Sequence, residues 1–65
     1  MKKLTVIRRD LGPRQIEAER IQFTPNGITF HLVDGNHLVF AKANVELIIE
    51  NLDNGESVVR YNPQG

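Results

Sequence analysis

Four turn signals divide this chain into short pieces, and they constrain its fold more than any other feature. They are "DLGPR" at 10–14, "TPNG" at 24–27, "DGN" at 34–36 and "DNG" at 53–55. Glycine supplies the positive φ that tight turns need, and proline and asparagine favour the same places. Short apolar runs lie between them. Turns at this spacing, alternating with short apolar runs, predict an all-β domain of five to six short antiparallel strands.

Length narrows the choice. A chain of 65 residues is a single domain with a small core. Domains of this size usually need a disulfide, a metal or a partner subunit. There is no cysteine, which removes disulfides and thiolate metal sites. That leaves a tight core, an unusual metal site or association with another chain. Residues 1–62 read as one β domain and 63–65 as a frayed tail.

Alternation assigns the faces. The first strand is predicted over Lys3–Arg8, with Leu4 and Val6 inward and "RRDLGPR" as the loop after it. The second begins near Ile16, and a change of phase between Ala18 and Ile21 predicts a bulge near Glu19-Arg20. Asn26-Gly27 as a type I′ turn sets Phe23 against Phe30 and Ile21 against Leu32. A three-residue loop Asp34-Gly35-Asn36 sets Phe30 against Phe40 and Leu32 against Leu38. His31 and His37 then point outward, two positions apart across the ladder, about 7–8 Å between Cα atoms. At that offset they read as surface side chains, and no metal ligand or cofactor is assigned.

"NVELIIENLDNG" fits two templates. As a helix it has Asn44 as N-cap, an apolar stripe of Val45, Ile48, Ile49 and Leu52, and Gly55 as terminator. As a strand it buries Val45, Leu47 and Ile49. β-branched residues at 45, 48 and 49, with Asn54-Gly55 following, favour the strand. A short helix over 45–52 stays the alternative. In the strand both faces of the last hairpin are apolar, with Ile48, Leu52, Val59 and Tyr61 on the second. Those four are the expected partner-binding surface, and an edge left by the first or last strand could add backbone pairing.

The succession of strands and turns resembles SH3-like and Sm-like small barrels in pattern over most of the chain. The resemblance implies a barrel or meander and leaves function open. Eight basic and eight acidic side chains balance, so no overall field draws the chain to nucleic acid or membrane. The charge is uneven. Lys2, Lys3, Arg8, Arg9 and Arg14 crowd the first fourteen residues, and Glu46, Glu50, Asp53 and Glu56 the last third.

No phosphate-binding loop, cysteine nucleophile or membrane-length apolar run is present. The chemistry favours a non-enzymatic binding module, homo-oligomeric or docked on another protein. Its expected setting is cytoplasmic, as an accessory protein of bacterial or phage type. The alternative is a small-barrel RNA, single-stranded DNA or nucleotide binder that uses Arg8, Arg9 and Arg14 with Tyr61. An oligomeric enzyme acting through His31 or His37 is a third reading.

Overall fold

The computed structural model describes residues 1–63, so residues 64 and 65, the end of the expected tail, lie outside the described residues. The described chain has seven strands in two antiparallel sheets and no α-helix. They are β1 (Lys2–Arg8), β2 (Gly12–Ala18), β3 (Arg20–Thr24), β4 (Gly27–His31), β5 (His37–Phe40), β6 (Val45–Asn51) and β7 (Ser57–Tyr61), with a 3₁₀ turn at Lys42–Asn44 before β6. One sheet has the order β2-β1-β6-β7 and the other β3-β4-β5. Neither closes into a barrel. The ambiguous segment is a strand, and the strand total exceeds the five or six expected.

Leu4, Val6, Ile16, Ala18, Val45 and Ile48 from the larger sheet meet Ile28 and Phe30 from the smaller one in a single core cluster. All eight are buried. The chain changes sheets at Glu19, between β2 and β3, where the Glu19 N–H donates to the His31 carbonyl at 2.7 Å. The phase change read from Ala18 and Ile21 is this corner and not a bulge within one strand.

β2 also starts earlier than the glycine-proline pair suggested. Gly12 pairs with Arg8, and Pro13 with Ile7. β2 is an edge strand, where proline's missing N–H is tolerated. β1 lies inside the sheet, which leaves β7 as the edge offered by the last strand.

Both inner hairpins are offset by two residues from the expected pairing. Thr24 pairs with Gly27 and Phe23 with Ile28, around a Pro25-Asn26 loop. A type I′ turn needs positive φ at its central residues. No described non-glycine residue has positive φ, so Asn26 does not take that role. In the next hairpin Phe30 pairs with Leu38, Ile28 with Phe40, and His31 with His37. A shift of two keeps every side chain on its expected face.

The loop of that hairpin is Val33-Asp34-Gly35. Leu32 N–H donates to Asn36 O at 2.9 Å, and Gly35 N–H to Leu32 O at 3.2 Å. Gly35, at φ +89°, holds the left-handed position expected for Asn36; without a Cβ it does so at least cost. The last hairpin repeats the device. Leu52 N–H donates to Glu56 O at 2.8 Å, Gly55 N–H to Leu52 O at 3.1 Å, and Gly55 has φ +87°. In each loop the residue before glycine caps the residue after it: Asp34 Oδ1 accepts from Asn36 N–H at 3.0 Å, and Asn54 Oδ1 from Glu56 N–H at 2.9 Å. This is a three-residue loop, a β-turn closed by its own left-handed glycine as a bulge, used twice.

Candidate functional site

β6 decides which surfaces remain free. It pairs with β1 as Val6 with Ile48 and Ile7 with Leu47, but Arg8 meets Val45, so Glu46 is an extra residue. The bulge puts Val45, Ile48 and Glu50 on the buried side. Leu47 and Ile49, expected in the core, turn outward and are half-buried. A second irregularity, where Ile48 pairs with Tyr61 but Ile49 with Val59, returns Tyr61 to the inner side.

The expected partner surface is thereby divided. Ile48 is 0% exposed and belongs to the core, so it cannot meet a partner. Leu52 is half-buried at the mouth of the last turn. Tyr61 packs against the core and stacks on Phe23, ring centroids 5.8 Å apart and 28° between planes. Only Val59 is open, at 56% exposure.

The outer face of the four-stranded sheet carries the apolar surface instead. Pro13, Ile7 and Leu47 form one row across the strands, and Gln15, Thr5, Ile49 and Val59 the next. Lys3 lies between Glu17 and Asn51 in a third row, which is polar. Asn51 Nδ2 donates to Thr5 Oγ1 at 3.0 Å and ties the polar row to its neighbour.

A second surface is a seam of about 220 Å³ lined by Lys2, Arg20, Ile21, Phe23 and Arg60. Glu50 lies beside two of its cations, buried with only 10% of its side chain exposed. Arg60 Nε donates to Glu50 Oε1 at 2.8 Å, Arg60 Nη2 stands 2.7 Å from the same oxygen, and Lys2 Nζ 3.8 Å. A buried carboxylate requires such partners. In the sequence Glu50 is one of the four acids counted in the last third of the chain. Alternation set Ile48 and with it Glu50 on the outer face, so the sequence carried no signal of this burial; the bulge at Glu46 turns both inward.

Arg8 and Arg9 border a third surface, a cleft of about 390 Å³ with Asp10, Leu11, Phe40 and Asn44. Their side chains brace loops. Arg8 Nε donates to Gly12 O at 3.2 Å, and Arg9 Nε to Ala43 O at 2.9 Å. Arg14 is exposed on β2 and does not line the cleft. The three arginines are therefore not one phosphate cradle.

Among the described residues no three His, Asp or Glu side chains converge to hold a metal. The two histidines do converge, with ring centroids 4.6 Å apart and planes at 84°. Desolvation, then the positive charge of Arg20 and the neighbouring His37, lower the His31 pKa from its ordinary 6.5, against a smaller opposing pull from Glu19. The unfolded chain thus binds the proton more tightly. Stability from this group is fully present above pH 6.5 and falls as pH drops toward the lowered folded value. Ring-proton NMR should show a His31 midpoint below 6.5, and Arg20→Ala should raise it. An unchanged midpoint in that variant would remove Arg20 as a cause.

No protein-family model, curated protein or solved structure matches the chain. No helix among the described residues is long and apolar enough to cross a membrane.

Proposed function

We propose that this chain is a non-enzymatic β interaction module, and that its partner is a second copy docked on the outer face of the four-stranded sheet. One observation carries the reading. Both faces of β6 are apolar, the inner one is buried between the sheets, and no third layer covers the outer one among the described residues. Pro13, Ile7, Leu47, Ile49 and Val59 are contiguous there.

A second copy suits this face for two reasons. A two-fold contact uses the same patch on both chains, so one apolar patch satisfies itself. The polar row at its border holds Lys3 opposite Glu17, and a two-fold can set each against its opposite in the other chain. The core has eight buried apolar side chains and no disulfide, so association adds stability where a small domain has little. In this proposal the strand succession is that of an open relative of the SH3-like or Sm-like small barrels. The setting is a cytoplasmic accessory role of bacterial or phage type, consistent with a chain that has no cysteine to oxidise.

Sedimentation velocity at micromolar concentration should show a dimer that persists in high salt. Leu47→Asp should raise the dissociation constant by about a hundredfold, since burying one such side chain contributes about 1.5–3 kcal/mol. Melting of this variant should also depend less on protein concentration than melting of the native chain. A native chain that sediments as a monomer throughout that range defeats the proposal.

The seam gives a second reading. Phe23 is 46% exposed and stacked on Tyr61, with Lys2, Arg20 and Arg60 around it. An aromatic platform rimmed by cations suits a single-stranded nucleic acid. Glu50 already engages Arg60 and Lys2, which weakens the field and makes this the lesser reading. Binding of a single-stranded RNA that falls steeply with salt and is lost in Phe23→Ala would favour it over the dimer.

A further inference from the structure

His31 and His37 stand directly opposite each other in the β4–β5 ladder. The next pair toward the turn, Leu32 with Asn36, is hydrogen-bonded, with N–H to carbonyl at 2.9 Å. Antiparallel pairs alternate, so the histidines occupy a non-hydrogen-bonded pair. In such pairs the Cα atoms are about 4.5 Å apart and the side chains approach most closely. The rings lie on the outer face of the three-stranded sheet, because Ile28 and Phe30 of the same strand point into the core. They belong to the other sheet from the β6 face proposed for association, and the two inferences rest on different residues.

The ring separation has a chemical meaning. Imidazole nitrogen binds zinc at about 2.0–2.1 Å. For two imidazoles on one ion at a nitrogen–metal–nitrogen angle of about 90–110°, ring centres fall about 4.5–5.2 Å apart. The observed 4.6 Å lies in that interval.

The surroundings also fit. Gln22 Oε1 is 2.9 Å from His31 Nε2. An amide oxygen only accepts, so Nε2 carries the proton and Nδ1 keeps its lone pair. Metal-bound histidines are commonly held this way, the second ring nitrogen donating to a carbonyl or carboxylate oxygen.

We propose that His31 and His37 together form a two-histidine chelating site for a divalent transition-metal ion of the copper(II), nickel(II) and zinc(II) class. Water completes the coordination shell. Imidazole suits these ions, whereas magnesium and calcium prefer oxygen ligands. Gln22 is a positioning residue that fixes the His31 tautomer and does not touch the ion.

The test uses the full chain without an affinity tag. Zinc chloride is titrated at neutral pH, followed by calorimetry and by the histidine ring protons. One ion per chain should bind, and both rings should shift along one isotherm. His37→Asn and His31→Asn should each weaken binding by about tenfold or more, and Gln22→Ala should weaken it with both rings still shifting together. His37 is exposed, so His37→Asn should keep the native melting curve and separates lost chelation from lost fold. Magnesium chloride should produce no shift. Independent binding at each ring, with either single variant leaving the other ring's affinity unchanged, overturns the proposal, as does the absence of any zinc-induced shift.

Discussion

Phe30→Ala is expected to unfold the domain. Phe30 is fully buried at the centre of the three-stranded sheet and is the largest of the fully buried side chains. Its ring meets the edge of Phe40 at 5.4 Å and 82°. Truncating a buried phenylalanine costs about 3–5 kcal/mol, as lost transfer energy and as a cavity. A core in a chain of this size supplies about 3–5 kcal/mol of net stability. Loss and reserve are equal in scale, so the variant should lack a cooperative transition in urea at 25 °C. His31→Ala, one residue on and facing outward, should cost under about 1 kcal/mol. Both belong at one protein concentration, because association would couple to unfolding. A cooperative, near-native Phe30→Ala would mean that Phe30 is not at the centre of the core.

Gly27→Ala should be the most damaging of the glycine substitutions. A Cβ at position 27 would stand 2.5 Å from the Phe40 carbonyl oxygen, and the backbone there has φ +152°. The obstructing atom belongs to the neighbouring strand, so β5 would have to move. Strain of this kind costs about 1–3 kcal/mol, and forcing the strands apart adds a penalty of about the same size. Together they bring the expected loss to about 2–6 kcal/mol. Gly12 offers the control, with positive φ but nothing within 4 Å of a Cβ; Gly12→Ala carries only the backbone part. Urea midpoints of the two variants measure the difference. Equal midpoints would show that β5 yields easily and that the β4–β5 contact is loose.

The proposed dimer face, the second face of β6, illustrates how far alternation can be read. The two apolar faces of Val45–Asn51 were visible in the sequence, and with them the need for something to cover one. Which face was to be covered was not. A single extra residue at Glu46 inverts the assignment of everything after it. Nothing in "NVELIIEN" marks that bulge. It follows from β1, where Val6 points inward and is paired with Ile48. Burying Ile48 in turn carries Glu50 inside, and Arg60 and Lys2 answer its charge from sequence positions ten residues later and forty-eight earlier.

The histidines show the same boundary. Their outward direction was legible, since it depends only on parity from Phe30. Their distance was not, because a slip of two positions preserves parity while bringing His37 from diagonal to opposite. Glycine decided that slip. Gly35 takes the left-handed position in preference to Asn36, and the ladder follows.

The sequence by itself therefore determined the β class, the turn sites and the core faces of β1, β4 and β5, whereas Phe23 of β3, expected in the core, is 46% exposed. Those depend on period-two alternation and on turn chemistry within four or five residues. Only the tertiary structure decided the division into two sheets at Glu19, the inner face of β6, the salt-bridged burial of Glu50 and the pairing of His31 with His37. Each of these is a register between strands, set by whichever alignment buries the most apolar surface across the whole molecule and leaves no buried polar group unpaired, and that comparison has no local signature.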